Sequence, residues 1–203
     1  MALTHKELCE RAASWLRSNR RCDPVLTKVG SAGEIPDAIG WSSMFRHRGS
    51  IVVECKTSRI DFLNDKKKYT QFKHPQKGWT ISSRRFRRKL LQNEGYIEER
   101  LPSMGDYRFF LCEPEIVSAE DVKRRHGDHG LLHLIGKRVL VVLEAPERQK
   151  VNHWAEIRYL RFALIHVKDN LLRLGCSVDL TELTKFFGTT GVRFPADGTK
   201  KHN

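Results

Sequence analysis

Two residues of opposite charge, Glu54 and Lys56, stand at the end of a short apolar stretch that begins at Gly49. The β-branched run inside this stretch, 51–53, predicts a strand. Side chains alternate between faces along a strand, so Glu54 and Lys56 share one face and Cys55 between them points into a core. Burying charges costs several kcal/mol unless they are paired or bind a metal, so ordinary core packing does not explain this pair.

A second acidic residue, Asp37, follows Pro36 in an extended stretch at 35–41. The polar, basic loop after it can turn the chain, so that the two stretches pair and bring the carboxylates of Asp37 and Glu54 together. Two carboxylates repel unless a divalent cation lies between them, and hard oxygen ligands suit Mg²⁺. Strict alternation would point Asp37 to the other face, so we expect a bend at Pro36 or a bulge. These residues predict a metal site with an ammonium group beside it. The alternative is a surface hairpin with an ordinary Glu–Lys pair.

The order Pro36-Asp37, sixteen intervening residues, then Glu54-Cys55-Lys56 resembles the motif of the PD-(D/E)xK nuclease superfamily, which has the restriction-endonuclease-like fold. The stretch 53–63 is similar to the MmcB-like branch of that superfamily, found in bacterial and phage genomes. The resemblance is close from about 34 to 67 and extends over roughly the first two-thirds of the chain.

This resemblance implies roles for particular residues. Asp37 and Glu54 would hold Mg²⁺, for which Mn²⁺ can substitute, and Lys56 would position or activate the attacking water. Many members add a glutamate from the first helix, and Glu10, or less readily Glu7, would fill that role. For Glu10 the alternative is a solvated helix charge.

The composition favours a nucleic-acid partner. The chain has 203 residues with 37 Lys and Arg against 24 Asp and Glu, a formal net charge of +13, which promotes association with polyanions such as DNA. A membrane surface is the competing polyanion, but no apolar run approaches the roughly 20 residues that span a bilayer. The polar N-terminus does not look like a secretory signal. The five scattered cysteines argue against a disulfide framework or structural zinc and favour a reducing cytoplasm. The resemblance implies that this is the cytoplasm of a bacterial or phage-infected cell.

Basic residues after the motif strand are candidates for phosphate contacts. They stand at the strand's exit and in a basic insertion at about 74–105 in which aromatic residues are interleaved, a mixture that suits phosphate pairing and base stacking. A solvated basic face, or for Arg59 an exposed strand-to-helix junction, is the alternative. The candidates are Arg59, Lys66, Lys67, Arg84, Arg85, Arg87 and Arg88.

Local signals predict the elements that position these residues. Thr4 and Glu7 form a capping box for a helix from His5, and Asp61 and Ser118 are expected to cap two further helices. Strands are expected at 25–29 and 107–112, with a hairpin that turns at Gly136-Lys137. His126, His129 and His133 have a spacing typical of zinc ligands, but neighbouring glycines and the missing cysteine ligands argue against a zinc site.

We therefore expect an α/β fold with a mixed central sheet of five or six strands flanked by helices. The core would occupy 1–150, a helical extension 151–190 would cover the sheet or form a homodimer, and 191–203 would be a flexible tail. The predicted activity is Mg²⁺-dependent hydrolysis of DNA phosphodiester bonds, in repair, recombination or phage–host conflict. A nucleic-acid-binding accessory protein without catalysis, or a basic protein that binds RNA, is the alternative.

Overall fold

The motif strand lies inside a six-stranded mixed sheet of a computed structural model that describes residues 3–29, 34–44, 48–65, 70–73, 80–81, 97–100 and 102–174. The strand order of this sheet is β1-β2-β3-β7-β8-β9. Its strands are β1 (Val25–Leu26), β2 (Ala38–Ser42), β3 (Gly49–Cys55), β7 (Tyr107–Cys112), β8 (Gly130–Ile135) and β9 (Arg138–Leu143). The pairs β3–β7 and β7–β8 are parallel, and the remaining neighbours are antiparallel.

Four helices accompany these strands among the described residues: α1 (His5–Asn19), α2 (Arg59–Asn64), α3 (Ala119–Arg125) and α4 (His153–Arg173). A separate three-stranded antiparallel sheet has the order β5-β4-β6 and consists of β4 (Thr70–Lys73), β5 (Thr80–Ile81) and β6 (Ile97–Arg100). The predicted α/β class, with a mixed sheet flanked by helices and a C-terminal helix, is confirmed. None of the helices within the described ranges is long and apolar enough to cross a membrane.

The two faces of β3 pack against different helices. Ile51, Val53 and Cys55 join one buried cluster with the apolar face of α1, including Leu8 and Leu16. Each fully buried aliphatic side chain in such a cluster stabilises the fold by about 1.5–3 kcal/mol. On the opposite face, Val52 packs with Ile39, Met104 and Tyr159 of α4. Alternation along β3 therefore fixes which face of the sheet each motif side chain enters.

Local signals largely match the observed elements. The Thr4–Glu7 and Ser118–Asp121 capping boxes are both present, and Gly136 adopts a positive φ of 61° in the turn between β8 and β9. One cap was wrong: Ser58, not Asp61, caps α2, because its hydroxyl accepts the Asp61 backbone N–H. The strand predicted at 25–29 is also shorter than expected, ending at Leu26, and Lys28 has a positive φ.

The chain divides into two compact units, Met1–Ala163 and Leu164–Asn203, with a boundary inside α4. In the first unit, α4 contributes Tyr159 and Ala163 to the buried residues. The sites described below all belong to this first unit. The predicted tail at 191–203 and most of the basic insertion lie outside the described residues.

Candidate active site

Asp37 lies next to the end of β3. The antiparallel register pairs Ala38 with Val53, so Asp37, at a bend immediately before β2, lies beside the final residues of β3. Its Oδ2 accepts a hydrogen bond of 2.8 Å from the backbone N–H of Cys55. Backbone N–H groups lie in the plane of a sheet, so this carboxylate sits at the strand end between the two faces. The structure thus brings Asp37 to the backbone of the residue that separates Glu54 from Lys56.

Glu54 belongs to a buried ion pair with an arginine of the neighbouring strand. Its Oε1 accepts a hydrogen bond of 3.1 Å from Nη2 of Arg108, a residue of β7 that pairs in register with Val52. Nη1 of Arg108 donates to Oε1 of Glu34 and to the Met104 carbonyl oxygen. Glu54 is 1% exposed and Arg108 is fully buried. The guanidinium therefore joins two carboxylates inside the protein.

Lys56 lies between the carboxylates of Asp65 and Glu54. Its Nζ lies 2.6 Å from Oδ1 of Asp65, which follows the end of α2, and 4.0 Å from Oε2 of Glu54. The ammonium also lies 5.6 Å from the ring centroid of Phe110, within reach of a cation–π interaction. Lys56 has no exposed surface, and Asp65 is 1% exposed.

We call Glu34, Glu54, Lys56, Asp65 and Arg108 the ion-pair cluster. Each member lies beside a group of opposite charge, as a buried charge requires. Glu34 accepts hydrogen bonds from Arg108 and from the Met104 backbone N–H. A phosphodiester can reach Lys56 only if its contact with Asp65 opens, because the lysine is fully buried in this structure.

The first helix meets Asp37 through residues that the sequence analysis did not select. His5 Nε2 lies 3.3 Å from Asp37 Oδ2, and Cys9 Sγ lies 3.6 Å from His5 Nδ1. Glu10 lies exposed, one residue and about 100° around the helix from Cys9. Glu7 is engaged in the capping box, its Oε2 accepting hydrogen bonds from the Thr4 backbone and hydroxyl. We call His5, Cys9 and Asp37 the donor cluster.

Cys9 and Cys55 belong to one buried cluster beside the donor cluster. Hydrogen bonding between the two thiols lowers the pKa of Cys9 and raises that of Cys55. Burial, together with the nearby carboxylates of Glu115 and Glu113, raises the pKa of Cys112, in a separate apolar cluster, to about 12. Burial raises the pKa of Tyr159, and the negative charges of Asp37 and Glu54 raise it further.

Arg59, which was predicted to contact nucleic acid, forms a bidentate ion pair with Asp121. Its Nη1 and Nη2 donate to the two oxygens of Asp121 at 2.8 and 2.9 Å, which lowers the pKa of Asp121 and raises that of Arg59. The guanidinium fork is therefore occupied by a carboxylate, although the side chain is 51% exposed. Lys66, Lys67, Arg84, Arg85, Arg87 and Arg88 lie outside the described residues.

The histidines with zinc-like spacing do not form a ligand group among the described residues. His129 stacks on Phe110 with an interplanar angle of 12°, and burial lowers the pKa of His129 to about 4. His133 Nε2 lies 2.9 Å from the Val117 carbonyl oxygen. Across the described ranges, the group of three potential metal-binding side chains is His5, Cys9 and Asp37.

Two signals in the sequence pointed toward residues that the prediction missed. Arg108 interrupts the apolar strand Tyr107–Cys112, and a charge in such a strand requires a buried partner. His5 and Cys9 have the i, i+4 spacing that places two side chains on one helix face. No comparable signal marks Asp65, whose partner Lys56 is set by tertiary packing.

Comparisons with known proteins give no functional assignment. No protein-family model matches the chain. No curated protein sequence matches it either. Among solved structures, the chain is similar to the SPO1766 protein of unknown function from Silicibacter pomeroyi, with a TM-score of 0.47 and 19% identity over 85% of this chain and 94% of that chain. A similarity at this level does not indicate a function.

Proposed function

We propose that the protein is a Mg²⁺-dependent nuclease that hydrolyses DNA phosphodiester bonds. The observation that supports this proposal is the hydrogen bond from the Cys55 backbone to Asp37, which brings a second carboxylate to the strand end that carries Glu54 and Lys56. The excess of positive charge over the chain as a whole favours a polyanionic substrate.

The donor chemistry of Asp37 and Glu54 fits Mg²⁺. This ion prefers oxygen ligands, and it is commonly bound through one or two carboxylates while keeping several waters. Asp37 and Glu54 would hold the ion, which when bound would polarise a phosphoryl oxygen and lower the pKa of a water. Glu10 lies exposed on α1, and its role as a further ligand stays a prediction.

Lys56 supplies the positive charge of the proposed site. Its ammonium lies 4.0 Å from Glu54 Oε2, at the strand end where negative charge would build up on the reacting phosphate. A donor oriented toward developing charge in a buried site stabilises a transition state strongly. Asp65 is the resting partner of this ammonium, and we propose that the substrate replaces it. Asp65 would then hold the lysine in this position between turnovers.

Asp37→Asn tests this proposal with little change in shape. Asparagine can still accept the hydrogen bond from the Cys55 N–H, but it lacks the charge that holds a cation. We expect cleavage of supercoiled plasmid and single-stranded DNA in Mg²⁺ or Mn²⁺ to fall by at least about 100-fold, the effect of losing about 2.7 kcal/mol of transition-state stabilisation.

Glu120→Gln, an exposed residue of α3, is the matched control and should cleave like the wild type. EDTA should abolish cleavage in both the wild type and the control. Cleavage by Asp37→Asn at the wild-type rate would refute the proposal.

The burial of the ion-pair cluster favours a second candidate, a nucleic-acid-binding accessory protein without catalysis. Glu54 is already paired with Arg108, and Lys56 is already paired with Asp65, as in a purely structural cluster. In that case the wild type binds fluorescent DNA in EDTA, with affinity that falls steeply with salt, and cleaves none in Mg²⁺ or Mn²⁺. Cleavage that is lost in Asp37→Asn excludes this candidate.

A further inference from the structure

The donor cluster unites a nitrogen, a sulfur and an oxygen ligand in a small volume. One ligand atom from each of His5, Cys9 and Asp37 lies within 4.8 Å of the other two. Cys9 is buried, whereas the side chains of His5 and Asp37 are 36% and 14% exposed. The group is therefore half-enclosed by protein and can be reached from solvent.

Three independent features of the fold hold these ligands in place. Helical spacing puts His5 and Cys9 on one face of α1, one turn apart. The Thr4 capping box fixes the start of α1 immediately before His5. Asp37 is tied to the sheet by the 2.8 Å hydrogen bond from the Cys55 N–H. Two of the ligands therefore lie on a helix, and the third is anchored to the neighbouring strand β3 at the bend before β2.

The ligand atoms all lie within 4.8 Å of one another and are close to the spacing around a small tetrahedral ion. Zinc binds nitrogen and oxygen at about 2.0–2.2 Å and sulfur at about 2.3 Å, so its ligand atoms lie about 3.3–3.6 Å apart. The observed separations are 3.3 Å between His5 Nε2 and Asp37 Oδ2, and 3.6 Å between Cys9 Sγ and His5 Nδ1. A cation can bind only one imidazole nitrogen, so the ring of His5 turns slightly to bring that nitrogen toward both other ligands.

The donor types distinguish this cluster from a magnesium site. Thiolate and imidazole select borderline and soft cations such as Zn²⁺, whereas Mg²⁺ takes oxygen ligands. Three protein ligands and an open fourth position is a common arrangement for zinc.

One neighbour opposes a cation in the cluster. The Lys28 ammonium lies 2.9 Å from His5 Nδ1, where it competes for the imidazole and repels a positive ion. Lys28 is an exposed residue, so its side chain can withdraw into solvent when a cation binds. Its presence gives a test of opposite sign: removing Lys28 should tighten metal binding, whereas removing a ligand should weaken it.

We propose that His5, Cys9 and Asp37 form a binding site for a Zn²⁺-class cation. The site stands on its own ligands and does not depend on the proposed nuclease activity. It uses the carboxylate of Asp37 from the side of α1, opposite the face that carries Glu54 and Lys56.

Cobalt(II) provides a direct readout, because a cobalt–thiolate bond gives a near-ultraviolet charge-transfer band that nitrogen and oxygen ligands do not give. We expect full-length reduced protein titrated with Co²⁺ to develop this band at one ion per chain, and Zn²⁺ to displace it. Cys9→Ser should lose the band. Cys112→Ser, the matched control on the opposite face of the sheet, should keep it.

Two further variants keep the test decisive if Cys9→Ser folds poorly. His5→Gln, at a half-exposed position, should weaken Zn²⁺ binding by more than about tenfold, since even outer-shell partners of metal ligands have effects of that size. Lys28→Met should tighten it by about fivefold, the effect of removing a like charge about 4 Å away in water. Competition with a chromophoric zinc chelator measures both, and thermal unfolding of the metal-free variants checks their folding.

Each outcome decides the proposal independently of catalysis. Absence of the cobalt band in the wild type, or its persistence in a folded Cys9→Ser variant, overturns the site. Unchanged zinc affinity in both His5→Gln and Lys28→Met also overturns it. Loss of the band in Cys9→Ser together with opposite shifts in the other two variants establishes it, whether or not the protein cleaves DNA.

Discussion

The ion-pair cluster and the donor cluster lie on opposite sides of the same strand end. Their buried polar groups are stabilised in different ways. Glu54 and Lys56 point to one side of β3, where each charge is met by an opposite charge from Arg108 or Asp65. On the other side, Cys9 packs in the core between α1 and the sheet beside Cys55. Asp37 is linked to both sides through the backbone of Cys55.

This difference predicts that the fold depends on the ion-pair cluster and that the donor cluster can bind a metal ion. A buried ion pair is costly to break because its remaining partner keeps an uncompensated charge in the interior. The donor cluster contains a thiol, which releases its proton to solvent when it binds a cation, and an imidazole, which binds through the lone pair of its neutral form. We therefore expect substitutions in the ion-pair cluster to act mainly on folding, and substitutions in the donor cluster to act mainly on metal affinity.

Arg108→Met should produce the largest loss of stability. Methionine keeps much of the volume but leaves Glu34 and Glu54 buried without their shared guanidinium. We expect the free energy of unfolding to fall by about 3–5 kcal/mol, as when one partner of a buried pair is removed. Urea unfolding monitored by circular dichroism at pH 7 measures the change.

Arg124→Met is the control for Arg108→Met. Arg124 also pairs with a carboxylate, that of Asp121, but its side chain is 70% exposed. Exposed pairs contribute about 0–1 kcal/mol, so this variant should stay close to the wild type. Equal, small losses in both variants would mean that the ion-pair cluster does not hold the fold together.

His129 extends the comparison to a buried group that stays neutral instead of finding a full counter-charge. Burial, helped by Arg108, lowers its pKa to about 4 although Asp128 hydrogen bonds to it. An unfolded histidine titrates near 6.5, so between pH 6.5 and 4 the unfolded state binds more protons than the folded state. The stability contributed by neutral His129 is thus complete above pH 6.5 and is lost as the pH falls toward 4.

The size of this loss is on the order of 3 kcal/mol for a shift of this magnitude. Urea unfolding at pH 7.5 and 4.5 measures it, with His129→Phe as the reference that keeps a ring against Phe110 but cannot titrate. We expect the wild type to lose more stability than His129→Phe over this range. Parallel losses in the two proteins would show that His129 does not contribute to acid sensitivity.

Features fixed by near neighbours in the chain were predictable from the sequence. The Thr4–Glu7 capping box and the Gly136 turn depend on residues within one turn or hairpin, and both were confirmed. The α/β class followed from alternating strand and helix patterns in the same way. Even the missed cap of α2 had a local signal, since Ser58 precedes Asp61 by three residues, as in a capping box.

Features fixed by tertiary contacts were not predictable in this way. Lys56 and Asp65 are nine residues apart, and tertiary packing brings their charged atoms to 2.6 Å, a pair that no spacing rule anticipates. The choice between Glu10 and His5 depended on the rotation of α1 about its axis, which its packing on the sheet sets. The metal role predicted for Asp37 and Glu54 remains a prediction that the cleavage experiment addresses.

Glu10→Gln should have the smallest effect and sharpens the contrast on α1. Glu10 is exposed, and a surface substitution away from such sites changes stability by less than about 0.5 kcal/mol. We expect its cleavage rate in Mg²⁺ and its zinc affinity to stay within about twofold of the wild type, whereas His5→Gln on the same helix loses zinc affinity. A loss of cleavage in Glu10→Gln with normal folding would instead make Glu10 a ligand of the proposed magnesium site, as the resemblance implied. Glu10 and His5 lie on different sides of α1. The two variants therefore show whether the His5 side binds zinc and whether the Glu10 side contributes a ligand to the proposed magnesium site.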